Sequence, residues 1–248
     1  MTFLTKTGSY YVLSFAAALS MAAEASELNV DLGVTALGQQ HHIVGEDDKT
    51  ELHPYLNLQY GMFVAGPDGV GITTSVGQRD QFSALVSVRE SVLDGVNSKL
   101  DKVNERKDAA EFALYWTHMS QNIDVTAAVA VDASDTHNGY EAKLIFSKLL
   151  ETNAGSFVPA LAILHQSDKL VDYYYGVTPL ESGTGYAAYT GEASTNANLS
   201  LTHIYPITQH WHLTTLVAYE HLGEGIQDSS IVERSGYWSG AMTMLYRF

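Results

Sequence analysis

From residue 28 to the last residue the chain alternates apolar and polar positions with a period of two. In the final segment Trp238, Gly240, Met242, Met244, Tyr246 and Phe248 share one face. Ser239, Ala241, Thr243, Leu245 and Arg247 share the other. The segment before it sets Trp211, Leu213, Thr215, Val217 and Tyr219 against His212, Thr214, Leu216, Ala218 and Glu220. Successive strand side chains point to opposite faces, so each stretch predicts a two-faced strand. The same reading holds around Leu28–Thr35, Phe82–Val88, Phe112–Trp116, Val125–Val131, Tyr140–Phe146 and Ala197–Tyr205.

A soluble sandwich also alternates, but its apolar faces fill a single core. Here the apolar face carries aromatics near both ends, as a membrane girdle does. The opposite face carries small residues and isolated charges, as a lumen does. Segments of about ten alternating residues are the signature of an outer-membrane barrel. Lipid offers the backbone no partners, which leaves a closed barrel as the form that can expose such strands to it. The predicted fold is therefore all-β, a transmembrane antiparallel β-barrel over residues 26–248. Connections at 137–139, 206–210, 120–121 and 153–155 are short, whereas those at 39–51, 90–108, 168–192 and 223–235 are long and polar. Short turns belong on the periplasmic side and long loops outside. With both ends periplasmic the strand number is even. Twelve strands result if residues 62–65 and 70–78 form a small hairpin around Pro67, Asp68 and Gly69; ten is the runner-up, because the first arm is too short for a full crossing.

The N-terminal segment is different. Lys6 precedes an apolar run at 11–18, and Ala23-Glu24-Ala25 supplies a small-x-small site before Ser26. This describes a secretory signal peptide over residues 1–25, too short in its apolar part for the ~20 residues of a spanning helix. Export places the mature chain outside the cytoplasm, and the barrel pattern makes the expected setting a Gram-negative outer membrane. Charge adds one exclusion: 13 Lys and Arg stand against 28 Asp and Glu, a net charge of −15, which argues against nucleic acid as a partner. The absence of cysteine excludes disulfides and thiolate metal sites.

Candidate chemistry is sparse. Ten histidines are present, but no Gly-x-Ser-x-Gly and no His/Ser spacing that fixes a catalytic geometry. The expectation is no catalytic residue, no cofactor and no metal. His41-His42 and His210-Trp211-His212 fall on opposite sides of the membrane and read as interface histidines, and Glu46-Asp47-Asp48 as a solvated acidic loop. More informative are the charges on the inward face: Arg89, Glu111, Asp124, Asp132, Glu141, Lys143, Glu220 and Arg247. Charges in a narrow lumen must pair or meet water. Glu111, Asp124 and Lys143 are the expected network, read either as a plug of salt bridges or as a cation-preferring lining. A twelve-strand barrel sits between side-chain-filled barrels and open porins, and the plug is the favoured reading.

The block Tyr173, Tyr174, Tyr175, Gly176, Val177, followed by Glu181, Ser182, Gly185 and Tyr186, resembles the marker region of the MltA-interacting protein (MipA)/OmpV family. His53-Pro54-Tyr55, Tyr60-Gly61, Glu105-Arg106-Lys107-Asp108 and the ending from Trp238 extend the likeness over the mature chain. The tyrosines serve as a partner-binding patch, as girdle residues or as an inward-folded structural anchor of the longest loop. The resemblance implies a protein surrounded by outer-membrane lipid, with no catalytic residues to carry over. It implies a scaffold joining a lytic transglycosylase to a penicillin-binding protein in peptidoglycan turnover; a narrow channel for small solutes or cations and a surface adhesin are the alternatives. Tyr246 and Phe248 resemble the terminal aromatic signal that the barrel-assembly machinery reads. The leader assignment is checked by N-terminal sequencing of the exported protein, which is expected to begin at Ser26; a mature chain that retains Lys6 overturns it.

Overall fold

The strands form a meander in which each pairs with the next along the chain. The computed structural model describes residues 28–93 and 98–248, so the leader expected over residues 1–25 lies outside the described residues. The segments are β1 (Leu28–Gln39), β2 (Lys49–Tyr60), β3 (Phe63–Gly66), β4 (Gly69–Val76), β5 (Asp80–Arg89), β6 (Ala109–His118), β7 (Asp124–Asp132), β8 (Tyr140–Ser147), β9 (Leu150–Thr152), β10 (Gly155–Gln166), β11 (Ser194–Pro206), β12 (Trp211–His221) and β13 (Gly236–Arg247), with helices α1 (Asp168–Tyr175) and α2 (Glu224–Gln227) in the outer loops. All pairings are antiparallel, and β1 pairs with β13 from Asp31↔Arg247 to Gln39↔Ser239, which closes the sheet.

Among the described residues the thirteen segments make twelve strands. β8 and β9 are one strand: Ser147 faces Ala160 and Leu150 faces Phe157, so the register runs unbroken through the interruption. The residue opposite Lys148 is Pro159, which has no N–H to give to the ladder.

The pleat sorts the side chains as the alternation predicts. Leu144, Leu199, Leu201, Val217 and Met244 are exposed on the outside, while Asn196, Asn198, Ser200 and Thr202 are buried inside. Aromatic rings meet at both ends of the apolar belt. Trp211, Tyr246 and Phe248 pack edge-to-face near the periplasmic rim, and Tyr219 lies against Trp238 near the outer rim. At the closing seam Gly33 passes so near β13 that a Cβ there would sit 2.2 Å from the Met244 carbonyl oxygen, so no larger residue fits.

Two connections depart from the length rule. Residues 133–139 are short, which places them on the periplasmic side by length alone, yet strand alternation puts them at the outer end. There Asp132 organises them, accepting from the backbone N–H groups of Ser134, His137 and Asn138. The β3–β4 turn at Pro67 and Asp68 is outward-directed as well, but β3 has four residues and the hairpin stops part-way up the wall.

The face assignment makes a quantitative expectation. Arg at the midplane of the lipid face costs about 2–4 kcal/mol. Leu201→Arg should therefore reduce the folded, heat-modifiable fraction far more than Ser200→Arg, whose side chain enters the lumen. Equal yields from the two variants would contradict the assignment.

Candidate functional site

Four of the inward charges, Arg89, Glu111, Glu141 and Lys143, gather at one level, just below the outer rim. Arg89 ends β5, Glu111 lies opposite Ser87 on β6, and Glu141 begins the inward row of β8. The Arg89 Nε donates to Glu111 Oε1 at 2.6 Å and its Nη1 to Glu141 Oε2 at 3.4 Å. Lys143, two residues along β8 and so on the same face, holds Glu141 Oε1 at 2.8 Å. Gln166 Nε2 donates to Glu141 Oε2 at 2.7 Å. His137 completes the group: Gly139 N–H donates to its Nδ1, so Nε2 carries the proton and donates to Glu111 at 3.2 Å. Two carboxylates are thus held by two cations, and the side chains of Arg89, Glu111 and Glu141 are almost wholly shielded from solvent.

The other inward charges lie elsewhere. Glu220 is bonded by Asn196 Nδ2 at 3.0 Å and Asn198 Nδ2 at 3.4 Å, across the lumen on β12 and β11. Arg247 forms a two-pronged pair with Asp31, at 2.9 and 3.0 Å, near the periplasmic end. Asp124 is also at the periplasmic end and accepts from Ser120 N–H. Asp132 caps its own loop. The expected grouping of Asp124 with Glu111 and Lys143 is therefore replaced by one centred on Arg89, because parity along a strand fixes the face but not the height.

Above this layer the outer loops close the mouth. Ile43, Leu93, Leu100, Leu170, Val171, Tyr174, Tyr175, Val177, Tyr186, Leu222, Ile226, Ile231 and Tyr237 form one buried apolar cluster. Its centre is α1, an element absent from the sequence reading. Ser167 caps its N-terminus, accepting from Leu170 N–H, and Leu170, Val171, Tyr174 and Tyr175 form its buried side. At the other end Gly176 donates to Asp172 O. A Cβ on Gly176 would lie 2.3 Å from that oxygen, so the chain turns there on a glycine.

The marker residues hold this cap together. The Arg106 guanidinium donates to Tyr173 O at 2.7 Å, to Gly176 O at 2.9 Å and to Glu181 Oε1 at 2.8 Å. Burial pushes the Glu181 carboxyl upward, but the bonds from Arg106 and from the backbone of Thr178 and Asn104 outweigh it and hold the group at about 2. Tyr186 donates to Asp101, and Ser182 donates to Pro179 O. The Tyr174 ring packs against His137, which links the cap to the Arg89 layer. His42 folds in from the first outer loop, stacked on Tyr237 with its Nε2 3.2 Å from the Tyr175 hydroxyl. Burial, with His41 alongside, pushes the His42 ring down to about 3, so it is neutral at physiological pH.

The chain is similar to a known family and to outer-membrane proteins of other bacteria. A family model described as MltA-interacting protein MipA matches residues 32–248. The outer membrane protein YiaT of Escherichia coli (strain K12) is 26% identical over 241 residues, 96% of this chain and 97% of that protein. OmpV of Vibrio cholerae is 29% identical over 117 residues, 47% of this chain and 46% of that protein, and the MltA-interacting protein of E. coli is 23% identical over 158 residues, 62% and 63%.

The Arg89 layer yields a test of the plug. Removing one partner of a buried ion pair costs about 3–5 kcal/mol, because the other charge is left without compensation. Arg89→Ala should lower the temperature at which the barrel loses its heat-modifiable mobility. Arg89→Ala combined with Glu141→Gln should recover part of the loss. A double variant no more stable than the single one would show that Glu141 is not held by Arg89.

Proposed function

The chain belongs to the MltA-interacting protein family and lies in the bacterial outer membrane, and we propose that it serves there as a non-enzymatic adaptor for peptidoglycan enzymes. The partner is a lytic transglycosylase, the class of protein to which the name of one relative refers, and through it a penicillin-binding protein. The observation that carries this reading is the buried layer of paired ions inside the barrel. It lies beneath the packed apolar cluster of the outer loops. A barrel filled in this way favours surface contact over conduction. Its periplasmic turns are short, but they carry exposed apolar side chains at Met62, Ile123 and Ile207, which suit a docking face. The barrel-assembly machinery inserts the chain through the aromatic signal at Tyr246 and Phe248.

Two measurements test the adaptor. Purified protein in planar bilayers should give no steady single-channel conductance. Immobilised protein should retain the soluble form of the same bacterium's lytic transglycosylase, and Met62→Glu with Ile207→Glu should weaken retention about tenfold while leaving heat-modifiable mobility intact. Steady conductance together with no retention would replace the adaptor with the narrow channel.

A further inference from the structure

The barrel wall has a gap. β2 pairs with β3 only through Leu58, Gln59 and Tyr60, so among the described residues its remaining stretch, residues 49–57, is laddered to β1 alone. On the far side Ser87, Val88 and Arg89 of β5 are laddered to β6 alone, because β4 begins opposite Val86. No ladder joins β2 to β5. At about 3.3 Å per residue the free edge of β2 is roughly 30 Å long. Pro54, which has no N–H to place in a ladder, lies in the middle of it, as befits an edge.

Behind the gap is a cavity of about 40 Å³ whose lining reaches both of its edges: Lys49 on β2, and Arg89 to Val92 at the end of β5. Its inner wall is made by His42, Gln166, Tyr174, Tyr175, Glu220 and Tyr237. Two of these carry buried polar atoms with no partner among the described residues, His42 Nδ1 and Gln166 Oε1. Both side chains are more than nine-tenths buried, His42 at 4% and Gln166 at 6% exposure. Unmet hydrogen-bonding groups in a buried polar space cost free energy until something bonds them.

The chemistry of the occupant follows from what is left unmet. Arg89 is already matched inside the ion layer and Glu220 is held by the Asn196 and Asn198 amides, so neither calls for a charged occupant; Lys49 and Glu90 offset each other, and the two histidines beside them are neutral. The free groups are the Gln166 amide oxygen, which needs a donor, and the Nδ1 atoms of His42 and of its neighbour His41, neutral imidazole nitrogens that take either role by tautomer. A volume of 40 Å³ holds roughly three waters, enough for the terminal hydroxyl groups of a small polyol head. The cap closes the axial route outward, whereas the gap opens at the level of the outer leaflet. Its outer margin is apolar: Leu52 is 74% exposed and Val88 67%. We propose that this cavity is a binding site for the small, uncharged, hydroxylated head of a single-chain amphiphile, which enters sideways from the membrane between β2 and β5 and leaves its tail against Leu52 and Val88. This site is independent of the adaptor role.

The test uses the full-length protein in phosphatidylcholine vesicles containing a monoacylglycerol whose acyl chain bears a diazirine. After irradiation, mass spectrometry should place adducts on β2 around Leu52 and Leu56 and on β5 around Val86 and Val88. Excess unlabelled monoacylglycerol should suppress them at least fivefold, whereas adducts at Leu199 and Leu201 on the opposite wall should not saturate. Gln166→Leu and His42→Phe should each lower the saturable labelling at least threefold. If either variant does not fold, the wild-type map and competition decide alone. Uniform, non-saturable labelling around the barrel would mean annular lipid only and would overturn the proposal. Stronger labelling by a phosphatidic acid or alkylammonium analogue of equal tail length would overturn the uncharged head. Protection of Leu52 and Leu56 from every probe would point to a second chain paired along the β2 edge and would overturn it too.

Discussion

A backbone placed in hydrocarbon can give its N–H and C=O groups only to another strand, and this requirement organises the molecule everywhere but along residues 49–57 of β2, where one edge is left open. It forces the sheet to meet itself, which β1 and β13 do along nine residue pairs. Closure in turn creates an inside. Every second side chain then faces a confined space, and the polarity of that face is a consequence of the pairing on the other. The ion layer around Arg89 is the price of placing charges there: it is tolerable because each carboxylate is met by a cation or an N–H donor.

The loops solve a different problem with different chemistry. At the outer mouth water is available, so the hydrophobic effect returns as a driving force, and the loops build a small core of the kind a soluble protein has. Arg106 is central to it because one planar guanidinium meets the carbonyls of Tyr173 and Gly176 and the carboxylate of Glu181, tying residues 173–181 to the loop that carries Arg106. The His137–Glu111 bond ties this aqueous core to the ion layer beneath. Cap and lumen thus share a hydrogen-bonded boundary, and the tyrosines of the marker block are the cap's structural side of it.

The alternation made the strands, their faces and the short β3–β4 hairpin legible in the residues themselves, because period-two patterning is a property of each strand alone. Height along the barrel is not such a property. It depends on the stagger between neighbours, so Asp124 and Asp132 shared the face of Glu141 without sharing its surroundings. The helix α1 was missed because Tyr173, Tyr174 and Tyr175 read as girdle or anchor. The sign was there in Ser167-Asp168 followed by Leu170, Val171, Tyr174 and Tyr175, a cap and a helical spacing. His137 and Gln166 had no local signal; their roles exist only because the fold brings Glu111 and Glu141 to them.

The seam between the first and last strands bears on how the barrel comes into being. Asp31 and Arg247 are 216 residues apart in sequence, yet they form a two-pronged ion pair beside the closing ladder. Bringing such distant segments together costs about 5 kcal/mol of chain entropy on a simple loop-closure scaling. That cost falls on a single event, since every other ladder joins strands adjacent in the chain. The meander can therefore grow hairpin by hairpin, with β1 held open as a free edge until β13 arrives. Sealing is the one closure of high sequence separation in the barrel, and a sheet in which it has not yet formed has two exposed edges to protect.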